Sequence, residues 1–141
     1  MRRIVVEAEV SVDGVMGGDN VDFWKQLFRF HSADVGEYLS ELLLTPDALL
    51  MGRKTYQGFA KVWPAREGKD ADRINSMPKY VASRTKKEPL QWNAMLIKGD
   101  VAEEIKKLKQ EPGKSLLQYG SLLQYGVGEL THTNAQVWPC G

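Results

Sequence analysis

From Ile4 to Val12 apolar residues fall on both parities of the chain, interrupted by Glu7 and Glu9, which predicts a mostly buried strand ending at an Asp13-Gly14 turn. Gly17 to Asn20 is glycine-rich loop, and Asp22 to Phe30 fits either a short helix or an irregular aromatic flap. Between Ala33 and Leu44 the apolar residues Val35, Tyr38, Leu39, Leu42 and Leu43 recur at spacings of three and four, the mark of an amphipathic helix that Pro46 ends. A short apolar strand, Ala48 to Met51, then runs into Gly52-Arg53-Lys54-Thr55, where a helix begins and continues to about Ala60.

The second half repeats this alternation. Pro64 to Asp72 is charged and loop-like, with Asp70 or Asp72 a cap for a short helix ending before Pro78. Lys79 to Ser83 and Asn93 to Lys98 have strand composition, Gly99-Asp100 caps a helix from Val101 to Gln110, and Lys114 to Tyr119 is a further strand broken by Gly120. Strands alternating with helices predict an α/β domain with a largely parallel sheet. Leu116-Leu-Gln-Tyr-Gly120 recurs as Leu122-Leu-Gln-Tyr-Gly126, so the two copies compete for one place in such a sheet. A repeat this short does not make a solenoid.

Composition narrows the possibilities. With 141 residues and 43% hydrophobic content, one domain with a single core is expected. The 19 Lys and Arg nearly cancel the 18 Asp and Glu, so no global field draws in nucleic acid or an anionic membrane, and any anion site must be local. The basic, apolar start is cut short by Glu7 and Glu9 before reaching signal-peptide length, and no stretch is long enough to span a bilayer. Cys140 is the single cysteine, which rules out an intrachain disulfide and fits a reducing cytoplasm. His31 and His132 show no metal-pair spacing, so no metal is expected.

In parallel sheets, ligands bind beyond the carboxyl ends of the strands. Three such points carry anion-binding chemistry. At Gly52-Arg53-Lys54-Thr55 a new helix offers outward amides beside a guanidinium and a hydroxyl, suited to a diphosphate. At Ser83-Arg84-Thr85-Lys86-Lys87 hydroxyls and a guanidinium could grip a ribose phosphate. Gly120-Ser121 and Gly126-Val127-Gly128 are glycine turns after a strand. Each has a plain alternative as ordinary solvated surface, and it is their succession at strand ends that favours a nucleotide.

The chain resembles the dihydrofolate reductase superfamily, and within it a bacterial branch similar to the C-terminal reductase domain of the riboflavin-biosynthesis protein. The resemblance lies in Val10-Ser-Val-Asp-Gly-Val-Met16, Asp47-Ala-Leu-Leu-Met-Gly-Arg-Lys-Thr-Tyr-Gln-Gly-Phe59, Met77-Pro-Lys-Tyr-Val-Ala-Ser-Arg-Thr85, Leu96 to Ile105 and Leu122 to Leu130, in that order. It implies a three-layer sandwich around a mostly parallel sheet and NADPH as cofactor. By the same likeness Gly52, Arg53, Lys54 and Thr55 would hold the cofactor phosphates, and Ser83, Arg84 and Thr85 the ribose phosphate. Lys98 would lie near the adenine, Gly14 and Val15 beside the nicotinamide, and Gly126, Val127 and Gly128 at the diphosphate. The second glycine turn is favoured because Gly-Glu-Leu follows it as in the family.

Hydride transfer to a pterin- or pyrimidine-like heterocycle is the expected activity, with Asp22 and then Asp13 as candidate catalytic carboxylates. Phe23, Trp24, Phe28 and Phe30 could stack on such a ring or pack in the core. The family pattern calls for further strands after Leu130, where only Thr131 to Gly141 follow, so a shortened C-terminus is expected to leave the first strand as an open edge. Homodimerisation through that edge, or a marginal fold, is the consequence. The rival readings are a catalytically silent nucleotide-binding or oligomeric module, and a small RNA-binding domain that the near-zero net charge disfavours.

Overall fold

The structure is a computed structural model that describes residues 1–9, 13–14 and 29–120. Five strands, β1 (Ile4–Glu7), β2 (Pro46–Gly52), β3 (Lys79–Ala82), β4 (Ala94–Leu96) and β5 (Ser115–Tyr119), form one sheet in the order β1-β5-β2-β3-β4. All four pairings are parallel. Among the described residues four helices accompany them, α1 (Ala33–Leu42), α2 (Arg53–Val62), α3 (Lys69–Ser76) and α4 (Val101–Gln110), with a 3-10 turn at Trp63–Ala65.

Side-chain alternation along the strands assigns each face its helices. Ile4, Ala48, Leu50, Ala82 and Leu116 meet Val101, Ile105 and Leu108 of α4 on one face. Leu49, Met51, Val81 and Leu117 meet Leu43, Tyr56, Ile74 and Met77 on the other, beneath α1, α2 and α3. The result is an α/β three-layer sandwich. Central strands covered on both sides must be apolar at every position, which is why Ala48-Leu-Leu-Met51 and Leu116-Leu117 read as unbroken runs. The first Leu-Leu-Gln-Tyr copy supplies β5, between β1 and β2, whereas the second copy lies outside the described residues.

The amino edge of the sheet is clasped by polar groups that satisfy one another. Arg2, almost fully buried, donates from Nε to the Lys114 carbonyl at 2.7 Å and pairs through Nη2 with Asp47, whose other oxygen accepts from the Lys114 amide at 2.9 Å. A Cβ on Gly113 would sit 2.8 Å from that Asp47 oxygen, and its φ of +151° is one that only glycine adopts readily. Lys79, with no exposed surface, donates to the Asn75 carbonyl at 2.8 Å and lies 4.2 Å from the Trp92 ring centre. Burial pushes its ammonium down to about 8.

Several boundaries differ from the sequence expectation. The first strand leaves the ladder at Glu7 because its partner strand ends at Tyr119 and Gly120 turns away at φ +71°. Asp70 and Asp72 are not caps: α3 begins at Lys69 with Gly68 as its N-cap, and both aspartates fall in its first turn. β4 starts at Ala94, not Asn93, since Trp92 and Asn93 adopt left-handed φ values of 62° and 50° that cannot continue a strand. The helix at Val101 does carry its Asp100 cap, which accepts from the Glu103 amide at 2.9 Å.

Candidate functional site

Because every strand runs the same way, Glu7, Gly52, Ala82, Leu96 and Tyr119 all end at one edge, and the loops that follow share it. Gly52 is the N-cap of α2 and, having no side chain, supplies no side-chain cap to the first-turn amides. Arg53 and Lys54 are exposed there and Thr55 is half-buried. The turn after β5 comes directly against this helix start: a Cβ on Gly120 would lie 2.7 Å from Thr55 Oγ1. With φ at +71°, glycine suits that approach, and it brings the Gly120 backbone against the Thr55 side chain at the start of α2.

Beside it, an open groove of about 620 Å³ runs between the loops that follow β3 and β4 and the start of α4. Ser83, Arg84, Lys86, Lys98 and Asp100 are its polar lining, three cationic side chains against one carboxylate in a protein of net charge +1. The Ser83 hydroxyl accepts from the amides of Thr85 at 3.2 Å and Lys86 at 3.0 Å, closing a tight turn that presents Arg84 and Thr85 to solvent. Lys98 pairs with Glu88 at 2.9 Å, and this contact, with the Leu96 amide, holds the Glu88 carboxyl below its usual range. A hollow of similar size between α1 and α3 is less promising. Its floor is held together internally, with the Ser40 hydroxyl bound to Asp70 at 2.6 Å and Arg73 bound to the carbonyls of Leu43 and Pro46.

The expected residues are therefore distributed unevenly. Ser83, Arg84 and Lys98 line one groove, and Gly52, Arg53, Lys54 and Thr55 open the neighbouring helix. Thr85 stands exposed on the same turn. Asp13 and Gly14 are exposed in a turn, with Gly14 at φ +85°. Val15, Asp22, Gly126, Val127 and Gly128 lie outside the described residues, as do Phe23, Trp24 and Phe28. Phe30 is 73% exposed, and His31 lies 3.3 Å from a Glu9 oxygen.

Two groups at this edge escape a reading of motifs. Glu7 stands opposite Tyr119 in the parallel register, and burial, followed by the Glu9 charge, pushes its carboxyl up to about 7. Burial likewise raises the Tyr119 hydroxyl, with Glu7 and Asp70 adding to the effect. The available signal was an acidic residue on the Val5 face of an otherwise apolar strand. Tyr56, buried within the α2 start, is the second.

A parallel sheet covered by helices on both faces, with basic loops and a glycine approach at its carboxyl edge, is a dihydrofolate reductase-like fold. The chain belongs to the RibD C-terminal domain family, whose model matches residues 2–123. Among relatives, the uncharacterised protein YyaP of Bacillus subtilis (strain 168) is 32% identical over 125 residues, which cover 84% of this chain and 63% of that protein. The chain thus spans less than two thirds of that relative's length. A crystal structure of a Shewanella sp. PV-4 protein, provisionally named for riboflavin biosynthesis, superposes with a TM-score of 0.59 at 22% identity. The match covers 93% of this chain and 72% of that one, and it speaks to the fold alone.

Proposed function

We propose that this domain binds NADPH along the carboxyl edge of its sheet and transfers hydride to a pterin- or pyrimidine-like heterocycle. The observation that carries the reading is the meeting of Gly120 with Thr55 at an uncapped helix start, next to a groove lined by Arg84, Lys86 and Lys98. A diphosphate needs close backbone approach and donor amides, which a helix start beside Gly120 suits, and a ribose phosphate needs cationic partners, which Arg84 and Lys86 suit together with Lys98, itself paired with Glu88. The donor set fits such a cofactor. When bound, the nicotinamide would supply the hydride.

The residues of this chain then have separable tasks. Amides at the start of α2, with Arg53 and Thr55, take the diphosphate, and the Ser83-Arg84-Thr85 turn takes the ribose phosphate. The chain must also deliver a proton to the reduced substrate. Asp13 and Asp22 remain candidates, and Glu7 joins them as a carboxyl at the same edge that keeps a proton near neutral pH.

Two measurements separate this reading from its rivals. NADPH is expected to quench the tryptophan fluorescence saturably while RNA does not, and loss of NADPH absorbance is expected in the presence of a suitable member of a pterin and pyrimidine panel. Quenching without turnover across the panel would leave a silent nucleotide-binding module, and no quenching would reject the cofactor site.

A further inference from the structure

The two candidate anion sites sit on different elements, and one side chain ties them together. Tyr56 follows Thr55 in the first turn of α2, is only 5% exposed, and sends its hydroxyl out to the loop between β3 and β4. That hydroxyl donates to the Gln91 carbonyl at 3.1 Å and accepts from the Gln91 amide at 3.1 Å. Lys86, a lining residue of the groove, places its ammonium 5.4 Å from the centre of the Tyr56 ring, within range of a cation–π attraction.

We infer that Tyr56 is a positioning residue that fixes the Ser83–Lys87 turn and the Lys86 ammonium relative to the start of α2, and so sets the preference for a ribose-phosphorylated dinucleotide. This rests on the proposed cofactor reading and adds to it the device that holds its two halves in register. Elsewhere the loop is tied to β4 and the core, through Glu88 to the Leu96 amide and Lys98 and through Leu90 in the apolar cluster, and Tyr56 is its hydrogen-bonded tie to α2. Arg84, Thr85, Lys87, Glu88, Pro89 and Gln91 are exposed. At its ends stand the Ser83 turn and the Trp92 indole, bound to Asn75 at 2.7 Å. Tyr56 supplies the connection to α2 between them. A bidentate backbone contact to one residue fixes both the height and the direction of the strap, whereas a single bond would leave it free to pivot.

The test uses the whole chain with Tyr56→Phe, which removes the hydroxyl and keeps the ring. Removing two neutral hydrogen bonds from the strap is expected to weaken NADPH by about tenfold and NADH by less than about twofold. Hydrogen exchange at the Gln91 amide in the cofactor-free protein should accelerate by about tenfold or more. Lys86→Met, on a partly exposed side chain, serves as a second variant that leaves the strap intact, with a loss of NADPH preference of about threefold. Wild-type preference retained in both variants would overturn the inference and leave the cofactor reading standing. A wild type that binds NADPH and NADH alike would overturn the inference, and one that binds neither would overturn the cofactor reading as well.

Discussion

The two edges of the sheet treat their polar groups in opposite ways. At the amino edge Arg2, Asp47 and the Lys114 backbone satisfy one another, and Lys79 is closed in by Asn75 and Trp92. At the carboxyl edge α2 starts without a side-chain cap, and Arg53, Lys54, Arg84 and Thr85 face solvent. Both edges are rich in charge, so charge alone does not distinguish structure from function. What differs is whether the charged groups are buried against one another or stand at the surface.

If the amino edge serves stability alone, Asp47→Ala should have the largest effect in this protein. It strands the Arg2 guanidinium, whose side chain is 6% exposed, and deprives the Lys114 amide of its acceptor. A loss of about 2–3 kcal/mol in denaturant unfolding is expected, with cofactor affinity of the folded protein unchanged. A matching fall in affinity would dissolve the division between the edges.

Arg84→Ala should do the reverse. Losing a charge-assisted phosphate contact corresponds to about 2 kcal/mol, or roughly thirtyfold weaker NADPH, with little change in NADH or in the unfolding midpoint. Titration of both cofactors checks this, and an equal loss for each would remove Arg84 from the phosphate grip.

The smallest effect is expected at Glu7. Its carboxyl is raised from 4.5 to about 7 by folding, so the folded state holds the proton more tightly than the unfolded chain. Stability from this group is full below pH 4.5, declines as the pH climbs towards 7, and is then constant. Glu7→Gln should match the wild type at pH 4 and exceed it by about 1–2 kcal/mol at pH 8, a discounted value for a half-buried group. Urea unfolding at the two pH values reads it, and equal stability of the pair at pH 8 would show that Glu7 ionises freely.

Much of this organisation could be read from the sequence because it depends on local rules. Unbroken apolar runs gave the strands covered on both faces, spacing of three and four gave α1, and the Asp100 cap gave α4. The candidate anion residues could be nominated because they follow strands directly. What escaped depends on distant partners. Asp70 has the composition of a cap, yet the helix begins earlier and Asp70 binds Ser40 of another helix. Asn93 looks like strand until the left-handed backbone before Ala94 is known. Nothing local to Tyr56 reveals that its hydroxyl reaches Gln91, 35 residues on. The contact of Gly120 with Thr55 likewise joins residues separated by the whole second half of the sheet.

A crystal structure with NADPH tests the central claim most directly. The account predicts a diphosphate at the start of α2 beside Gly120, and a ribose phosphate within hydrogen-bond distance of Ser83 and Arg84. A cofactor bound away from this edge, or none at saturating concentration, would contradict it.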